Sequence, residues 1–372
     1  MKLLITGDWH LGANQFGVIQ GDGRNSRLVD IEDTIHRMVD LSVDSNVNVF
    51  ICAGDIFHTN KPTVEEQLAF YRIVKHLDES SIDYIRFIIG NHDYNSKLGC
   101  SHALKLFQHL VDNKRFRIYD KTKLERITLN GENLYLVHYP YRADEPDWES
   151  IKQARSKFTA TDRIALICHS HLEGAVVGCE PFEIKDDSTT KFRDLPVDFV
   201  FAGHFHKPQI LSKSSPLAFY PGSPQPIDFN ERNDAKGAVL VETSDSSYMA
   251  VGLKSRRLYQ IDLEDTVDIE DWHREVVFDS IVKVNVVLSE SRQDSFDESA
   301  IRKKLNEWGC HSVASINLRI VRDKVARDPE VKLDNDMTFS FEKYCASREF
   351  GELHNVVLET GKRIISSVGI GN

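Results

Sequence analysis

Five short segments carry the residue types that hold divalent metals: Gly7-Asp8-Trp9-His10, Gly54-Asp55-Ile56-Phe57-His58, Gly90-Asn91-His92-Asp93, Cys168-His169-Ser170-His171 and Gly203-His204-Phe205-His206. Carboxylate, amide oxygen and imidazole in mixture suit a borderline-hard ion such as Mn2+, whereas a structural zinc site would be richer in sulfur. So many ligands call for two ions. Asp55 has two oxygens and sits in the middle of the ligand order, which makes it the candidate bridge. Two ions about 3.5–4 Å apart activate a water and clamp both oxygens of an in-line displacement at phosphorus. With two carboxylates, such a site carries roughly +2 formal charge, enough to attract phosphate locally.

The spacing is consistent with this chemistry. Asp8 and His10 are two apart, as are His204 and His206, so in extended chain each pair points one way. Glycine precedes the functional residue in four clusters, which suits a sharp exit from a strand. A lone histidine among 15 means little. His36, His76, His102 and His109 lie in helical stretches and read as structural.

The elements that must position these clusters form an α/β alternation over roughly the first 250 residues. Apolar runs predict strands at Leu3–Thr6, Val47–Ala53, Tyr84–Ile89, Leu134–Val137, Ile164–Cys168 and Phe199–Ala202, and five of them run directly into a cluster. In open α/β sheets, sites form at the carboxyl ends of strands. A further strand pair is expected at Ala218–Tyr220 and Ala238–Glu242. Leu28, Ile31, Ile35 and Met38 recur at helical spacing, as do Val64, Leu68, Tyr71, Val74 and Leu77, and also Ala103, Phe107 and Leu110. Thr63 and Glu66 form a capping-box pattern ahead of the second helix. After about residue 255 the character changes: a strand at Ile281–Leu288, a helix at Glu298–Trp308 and a strand at Val313–Val321 make a small α+β unit. Thr338–Ile365 reads as helical and too apolar for a solvated tail.

The chain of 372 residues is 41% apolar and 28% charged, with a formal net charge of -11. That charge argues weakly against a nucleic-acid binder, without locating a local basic face. Six cysteines, at 52, 100, 168, 179, 310 and 345, make no CxxC pair and read as reduced structural thiols. No run approaches the ~18 apolar residues of a membrane span, and the N-terminus lacks a signal-peptide core, so a cytoplasmic protein is expected.

The clusters resemble the calcineurin-like metallophosphoesterase superfamily, whose pattern is DxH, GDxx, GNH followed by an acid, a later His, and GHxH. Thr6-Gly7-Asp8-Trp9-His10-Leu11-Gly12, Ala53-Gly54-Asp55-Ile56-Phe57-His58, Gly203-His204-Phe205-His206-Lys207-Pro208 and the turn Tyr220-Pro221-Gly222-Ser223-Pro224 are similar to the SbcD branch. Its members are nuclease subunits of SbcCD complexes and relatives of the meiotic-recombination-eleven nucleases; a compact bacteriophage version fits. The match covers roughly residues 1–245, and beyond it only the layout agrees.

The resemblance implies a two-sheet sandwich flanked by helices (residues 1–254), a small α+β capping domain for DNA binding (255–329) and a helical tail (330–372). It implies one divalent ion on Asp8, His10, Asp55 and His206, and a second on Asp55, Asn91, His169 and His204, with Mn2+ favoured and Mg2+ as the alternative. His92 would protonate the leaving oxygen and His58 would orient the phosphate. Where relatives have Gly before the fifth-segment His, this chain has Cys168; His171 lies two residues on, and His169 is preferred because it stands at the strand end. His138 reads as structural in the first instance.

The implied activity is metal-dependent DNA cleavage, 3′→5′ on duplex ends and endonucleolytic on single strands or hairpins. The implied partners are DNA, a second copy held through helices near 63–78 and 102–111, and an SbcC-like ABC-type ATPase held by the tail. Arg24 and Arg27, in the glycine-bearing loop Gly12–Arg27, and Lys97 are candidates for contact with the DNA backbone, against the plainer reading of solvated loops. A stand-alone phosphodiesterase or phosphatase and a non-catalytic tethering subunit are the alternatives.

Overall fold

The computed structural model describes residues 1–95, 102–111, 114–177, 182–183, 190–322, 337–348 and 350–368. In chain order the elements begin β1 (Lys2–Thr6), α1 (Ser26–Asp44), β2 (Val49–Cys52), α2 (Val64–Glu79), β3 (Tyr84–Ile88), α3 (Lys105–Val111), β4 (Phe116–Tyr119) and β5 (Lys123–Leu129). Next come β6 (Glu132–Tyr139), α4 (Trp148–Arg155), β7 (Arg163–His169), β8 (Val176–Val177), β9 (Phe182–Glu183), β10 (Phe199–Gly203), β11 (Gln209–Ser212) and β12 (Leu217–Tyr220). Then follow β13 (Gly237–Glu242), β14 (Ser247–Gly252), β15 (Leu258–Glu264), α5 (His273–Val277), β16 (Ile281–Ser289), α6 (Glu298–Glu307), β17 (Ser312–Val321), α7 (Met337–Ala346) and α8 (His354–Val368).

Two six-stranded sheets carry the fold, in the orders β14-β13-β1-β2-β3-β4 and β11-β12-β10-β7-β6-β5. Side chains of a strand alternate between faces. In the first sheet, Leu3, Ile5, Val49 and Ile51 share a buried cluster with Leu136, Ile167, Phe201 and Phe219 of the second. Their neighbours Leu4, Phe50, Cys52, Ile85 and Phe87 pack instead with Ile31, Ile35, Phe70 and Ile73 of α1 and α2. Leu166, Val200 and Ala218 face a third cluster with Ile151 of α4 and Phe192. The central strands of both sheets are therefore covered on both faces, which explains their near-continuous apolar runs. Each fully buried Leu, Ile or Phe contributes roughly 1.5–3 kcal/mol.

Three expectations need correction. Ala218–Tyr220 and Ala238–Glu242 do not pair with each other. β12 lies between β10 and β11, while β13 lies between β1 and β14, in the other sheet. Both runs are apolar enough for either sheet, and local pattern cannot choose. Second, α2 has its capping box from Thr63 and Glu66, but it buries Ala69, Phe70, Ile73, Val74 and Leu77. Val64, Leu68 and Tyr71 of the expected stripe are exposed. Third, α3 buries Phe107 and leaves Leu110 exposed at 65%.

The two sheets are also joined by charge. Arg86 of β3, 1% exposed, forks onto Glu125 of β5 at 2.7 and 2.8 Å. His138 Nε2 lies 3.2 Å from the same carboxylate, and its ring stacks on Tyr119 at 3.7 Å, so this buried histidine belongs to the framework. Burial opposes ionisation of Glu125, but His138 and Arg86 outweigh it and hold the carboxyl at about 2. A depressed carboxylate stabilises the fold above its unfolded value near 4.5 and loses that effect as pH falls toward 2. The contribution is on the order of 3 kcal/mol. Wild type should lose more stability between pH 5 and pH 3 than Glu125→Gln, in urea melts at both pH values; parallel losses would remove Glu125 from the account.

The chain divides into two compact units: Met1–Leu263, Val267–Val286 and Asp297–Asn317 in the first, and Glu264–Thr266, Val287–Phe296 and Leu318–Asn372 in the second. Within the first, Phe229, Leu258 and Ile281 cluster with Phe16 and Ala314. Arg256 forks onto Asp30 at 2.6 and 2.7 Å. Ser26 Oγ and His311 Nε2 meet at 2.8 Å. β15, β16 and β17 form a three-stranded sheet in that order. Within the second unit, α7 and α8 pack together and Lys362 pairs with Glu342 at 2.5 Å. Phe339, Tyr344, Leu353, Val356 and Ile364 of this unit are exposed. No helix among the described residues is long and apolar enough to cross a membrane.

Candidate metal centre

β1, β2 and β3 run parallel, as do β7 and β10. Their carboxyl ends deliver all five clusters to one place. Asp8 and His10 follow β1, Asp55 and His58 follow β2, and Asn91 and His92 follow β3. His169 ends β7, and His204 follows β10.

Convergence does not come from extended-chain alternation. Asp8, His10 and Asp55 have φ of 52°, 50° and 52°, and His204 has 107°. Non-glycine residues avoid this left-handed region, and such strain gathers at functional sites where the surroundings enforce it. Here the enforcement is backbone lacing: Asp8 N–H donates to Gly54 O at 2.9 Å and His10 N–H to Asp55 O at 3.0 Å. Close approach demands glycine at two positions. Gly54 has φ of 99°, and a Cβ on Gly90 would stand 2.1 Å from Asp55 Oδ1.

Three groups of candidate ligand atoms form: Asp8 with His10 and His206, Asp55 with His169 and His204, and His10 with His58 and His92; the first two, each holding a carboxylate, are the triads considered below. His10 Nε2 and His206 Nε2 face each other at 2.9 Å. Asp55 Oδ2 lies 3.7 Å from His10 Nε2 and 3.3 Å from His169 Nε2, between the triads. Asn91 Oδ1 lies 2.8 Å from His169 Nε2 and 2.9 Å from His204 Nδ1. The seven residues expected as ligands are therefore brought close together.

These residues fit divalent ions on chemical grounds. His169 Nδ1 donates to Ala53 O at 2.8 Å, which turns Nε2 toward the centre. Nε2 meets two oxygen acceptors, Asn91 Oδ1 and Asp55 Oδ2, a convergence that suits a cation. Burial would lower the pKa of His169, but Asp55 beside it prevails and holds it at about 9, so a proton stands in for the ion. Asp8 Oδ2 is buried without a hydrogen-bond partner. Its carboxyl is raised to about 6 by burial, against the pull of His169 and His206. The outer nitrogens are braced as in metal sites, where ligand imidazoles donate to carboxylates or carbonyls. His206 Nδ1 donates to Glu231 at 2.7 Å, and Lys236 holds the other oxygen of Glu231 at 2.7 Å.

His169 and His171 are separated by position. His171 Nε2 sits 2.6 Å from His204 Nε2, on the outer side of that ring. Tyr220 fixes this loop, its hydroxyl donating to Ser170 O at 2.8 Å and accepting from Leu172 N–H at 2.7 Å. His169→Ala is expected to cost one bound ion per chain, and His171→Ala none, by metal analysis after dialysis. Equal losses would return the two to parity.

Beside the triads, His92 N–H donates to Asp55 Oδ1 at 2.8 Å, and its ring Nδ1 donates to His58 O at 2.7 Å. His58 stacks on His92 at 5.5 Å, and its Nδ1 is 3.4 Å from His10 Nδ1. His58 is lowered in pKa, by burial first and then by His92.

Arg27 requires correction as a DNA contact. It is 1% exposed, with its guanidinium on Pro226 O at 2.6 Å and Asp30 at 3.3 Å, because Asn25 caps α1 just before it and turns it inward. Arg24 is half-buried and paired with Asp22 at 2.7 Å. Lys97 lies outside the described residues.

Three supporting residues were given no role by sequence reasoning. Asp93 accepts from Ile56, Phe57 and Gly90 N–H at 3.2, 3.0 and 2.9 Å, tying the second cluster to the third. Its place in the Gly-Asn-His-Asp motif was the available signal. Tyr220 was visible within its turn motif. Glu231 had no signal, lying 25 residues from the histidine it orients.

A family model for calcineurin-like phosphoesterases matches residues 1–208. The chain is 29% identical over 273 residues to the SbcD component of the SbcCD nuclease of Bacillus subtilis, covering 65% of this chain and 66% of that one. It is 25% identical over 246 residues to exonuclease subunit 1 of Enterobacteria phage T4, covering 65% of each. It is 26% identical over 352 residues to the DNA double-strand break repair protein Mre11 of Haloferax volcanii, covering 91% of this chain and 71% of that one. The chain thus spans just under two thirds of the length of the first two relatives.

Proposed function

The chain belongs to the calcineurin-like phosphoesterase family, and on that premise we propose that it is a metal-dependent DNA nuclease, the phosphodiester-cleaving subunit of an SbcCD-like complex in DNA repair and recombination. The observation that carries the hydrolytic reading is the meeting of both ligand triads at Asp55, with His92 and His58 beside them. The DNA reading is supported by the relatives named above, which are a component of a nuclease, an exonuclease subunit and a break-repair protein.

Asp8, His10, Asp55 and His206 would hold one divalent ion, and Asp55, Asn91, His169 and His204 the other, with Mn2+ the first expectation and Mg2+ the second. Bound there, the ions would supply Lewis-acid stabilisation of phosphoryl charge and a water activated at neutral pH. The rest falls to the chain. Asp55 holds the triads together. The His58 carbonyl accepts the hydrogen bond from Nδ1–H of His92 and so leaves Nε2 of that ring to face the centre. A protonated Nε2 can then hand its proton to the departing sugar oxygen. The His58 ring borders the same space and can orient the phosphate. Glu231 and Ala53 O fix the tautomers of His206 and His169.

Exposed Val64, Leu68 and Tyr71 of α2, with Leu106 and Leu110 of α3, support a homodimer through these helices. The exposed apolar residues of α7 and α8 support docking of an ABC-type ATPase. Residues 255–329 are proposed to act as a cap toward DNA, and Arg24 remains a proposed backbone contact. The polarity of digestion, 3′→5′ on duplex ends with endonuclease action on single strands, belongs to the same proposal.

The decisive experiment supplies Mn2+ with linear duplex DNA in one reaction and a small chromogenic phosphodiester in another. Cleavage of both is expected. Hydrolysis of the small ester alone would replace the nuclease with a stand-alone phosphodiesterase, and activity on neither would leave a tethering subunit.

A further inference from the structure

Next to the metal centre lies a cavity of about 260 Å3, lined in part by Tyr141, Arg142, His169, His171 and His204. The hydrolytic chemistry above makes no use of Tyr141 or Arg142. The ring of Tyr141 stands edge-on to His169 with centroids 6.4 Å apart, and the ring of Tyr94 meets Tyr141 at 5.9 Å. The guanidinium of Arg142 lies 5.6 Å from the centre of Tyr141 and 5.9 Å from that of Tyr94. Tyr141 N–H donates to Ile89 O at 3.1 Å, which ties this segment to the end of β3 and so to Asn91 and His92. Arg142 has φ of 55°, a left-handed conformation that its side chain disfavours. The chain thus accepts local strain where it sets an exposed cation over two tyrosine rings. Strain of this kind clusters at ligand clamps.

We propose that this shelf binds one unpaired nucleotide of the substrate strand, its base stacked on Tyr141 and its phosphate held by Arg142. The inference rests on the nuclease reading of the metal centre. Every base has a π-face, so an aromatic platform accepts any of them, and stacking on one aromatic side chain is sequence-tolerant. A guanidinium beside the platform supplies the local positive charge that a chain of net charge -11 lacks overall. A base held within a duplex already stacks on both faces and cannot use the shelf without leaving its neighbours. The shelf therefore selects frayed ends and single strands over continuous duplex.

The test compares kcat/KM on a single-stranded oligonucleotide with kcat/KM on an equally long chain of tetrahydrofuran abasic residues, which keeps the phosphates and lacks the bases. Wild type should prefer the natural strand. Tyr141→Ala should lower the ratio of natural to abasic kcat/KM by about ten- to a hundredfold, chiefly through KM on the natural strand. Tyr141→Phe, which retains the stacking surface, should keep most of the ratio. Arg142→Ala, at an exposed position where folding is not at stake, should weaken both substrates together. A wild-type ratio near one, or a Tyr141→Ala variant that loses both substrates equally or neither, overturns the shelf. If wild type cleaves a small chromogenic phosphodiester but no oligonucleotide, the nuclease reading fails first and the shelf with it.

Discussion

Asp55→Asn should abolish tight binding of both divalent ions and lower phosphodiester hydrolysis by on the order of 10³-fold or more, since the ions stabilise transition-state charge by several kcal/mol and each 1.4 kcal/mol is tenfold. The substitution is close to isosteric. Asn keeps an oxygen for the N–H of His92, now 2.8 Å from Asp55 Oδ1, so the third cluster stays in place. What changes is Oδ2, which lies 3.3 Å from His169 Nε2 and 3.7 Å from His10 Nε2. An amide there brings N–H donors where the proposed cations would sit, and it removes a negative charge shared by the two triads. Calorimetry with Mn2+ reads the binding directly. Melting temperature gives a second measure, because a ligand bound only by the folded state raises stability by mass action. Wild type should gain stability with added Mn2+, and the variant should not. Retention of two ions at unchanged affinity would show that Asp55 is not the bridge.

His92→Ala is expected to act in the opposite pattern, with both ions retained and cleavage reduced by about 10²–10⁴-fold, the range for loss of a general acid. Its hold on Asp55 runs through the backbone N–H, which alanine preserves. The ring contributes Nε2, left free because Nδ1 donates to the carbonyl of His58. The leaving group separates an acid from a structural prop. A sugar oxygen departs as a strong base and needs a proton, whereas p-nitrophenolate departs without one. DNA cleavage should therefore fall much further than hydrolysis of a p-nitrophenyl phosphodiester. A uniform fall on both substrates, or unaltered cleavage, would move the acid to another residue, with His58 next in line.

Much of the centre is legible before folding because its chemistry is written in short segments. The Gly-Asp, Gly-Asn-His-Asp and Gly-His-x-His runs each place ligand and glycine side by side, and each follows an apolar strand. The reason first given for their convergence does not hold. Side-chain alternation would serve an extended chain, but Asp8, His10 and Asp55 turn into the left-handed region and are held there by hydrogen bonds across cluster boundaries. Those bonds join residues more than 40 positions apart, so no local window contains them.

The same limit explains the other differences. Arg27 resembles a loop cation until Pro226 closes over its guanidinium. The α2 periodicity admits two overlapping stripes, and the sheet decides which is buried. Glu231 reaches His206 through a turn that no pattern announces.

By itself, then, the sequence determined the candidate ligand types, their order and the α/β frame, because residue chemistry and strand periodicity are local properties. Tertiary structure decided which of His169 and His171 meets Asp55, which cations remain exposed, and that Tyr94, Tyr141 and Arg142 flank the metal centre. The physical reason is that the direction of a side chain depends on the backbone conformation its distant partners enforce, and those partners meet only when the two sheets pack.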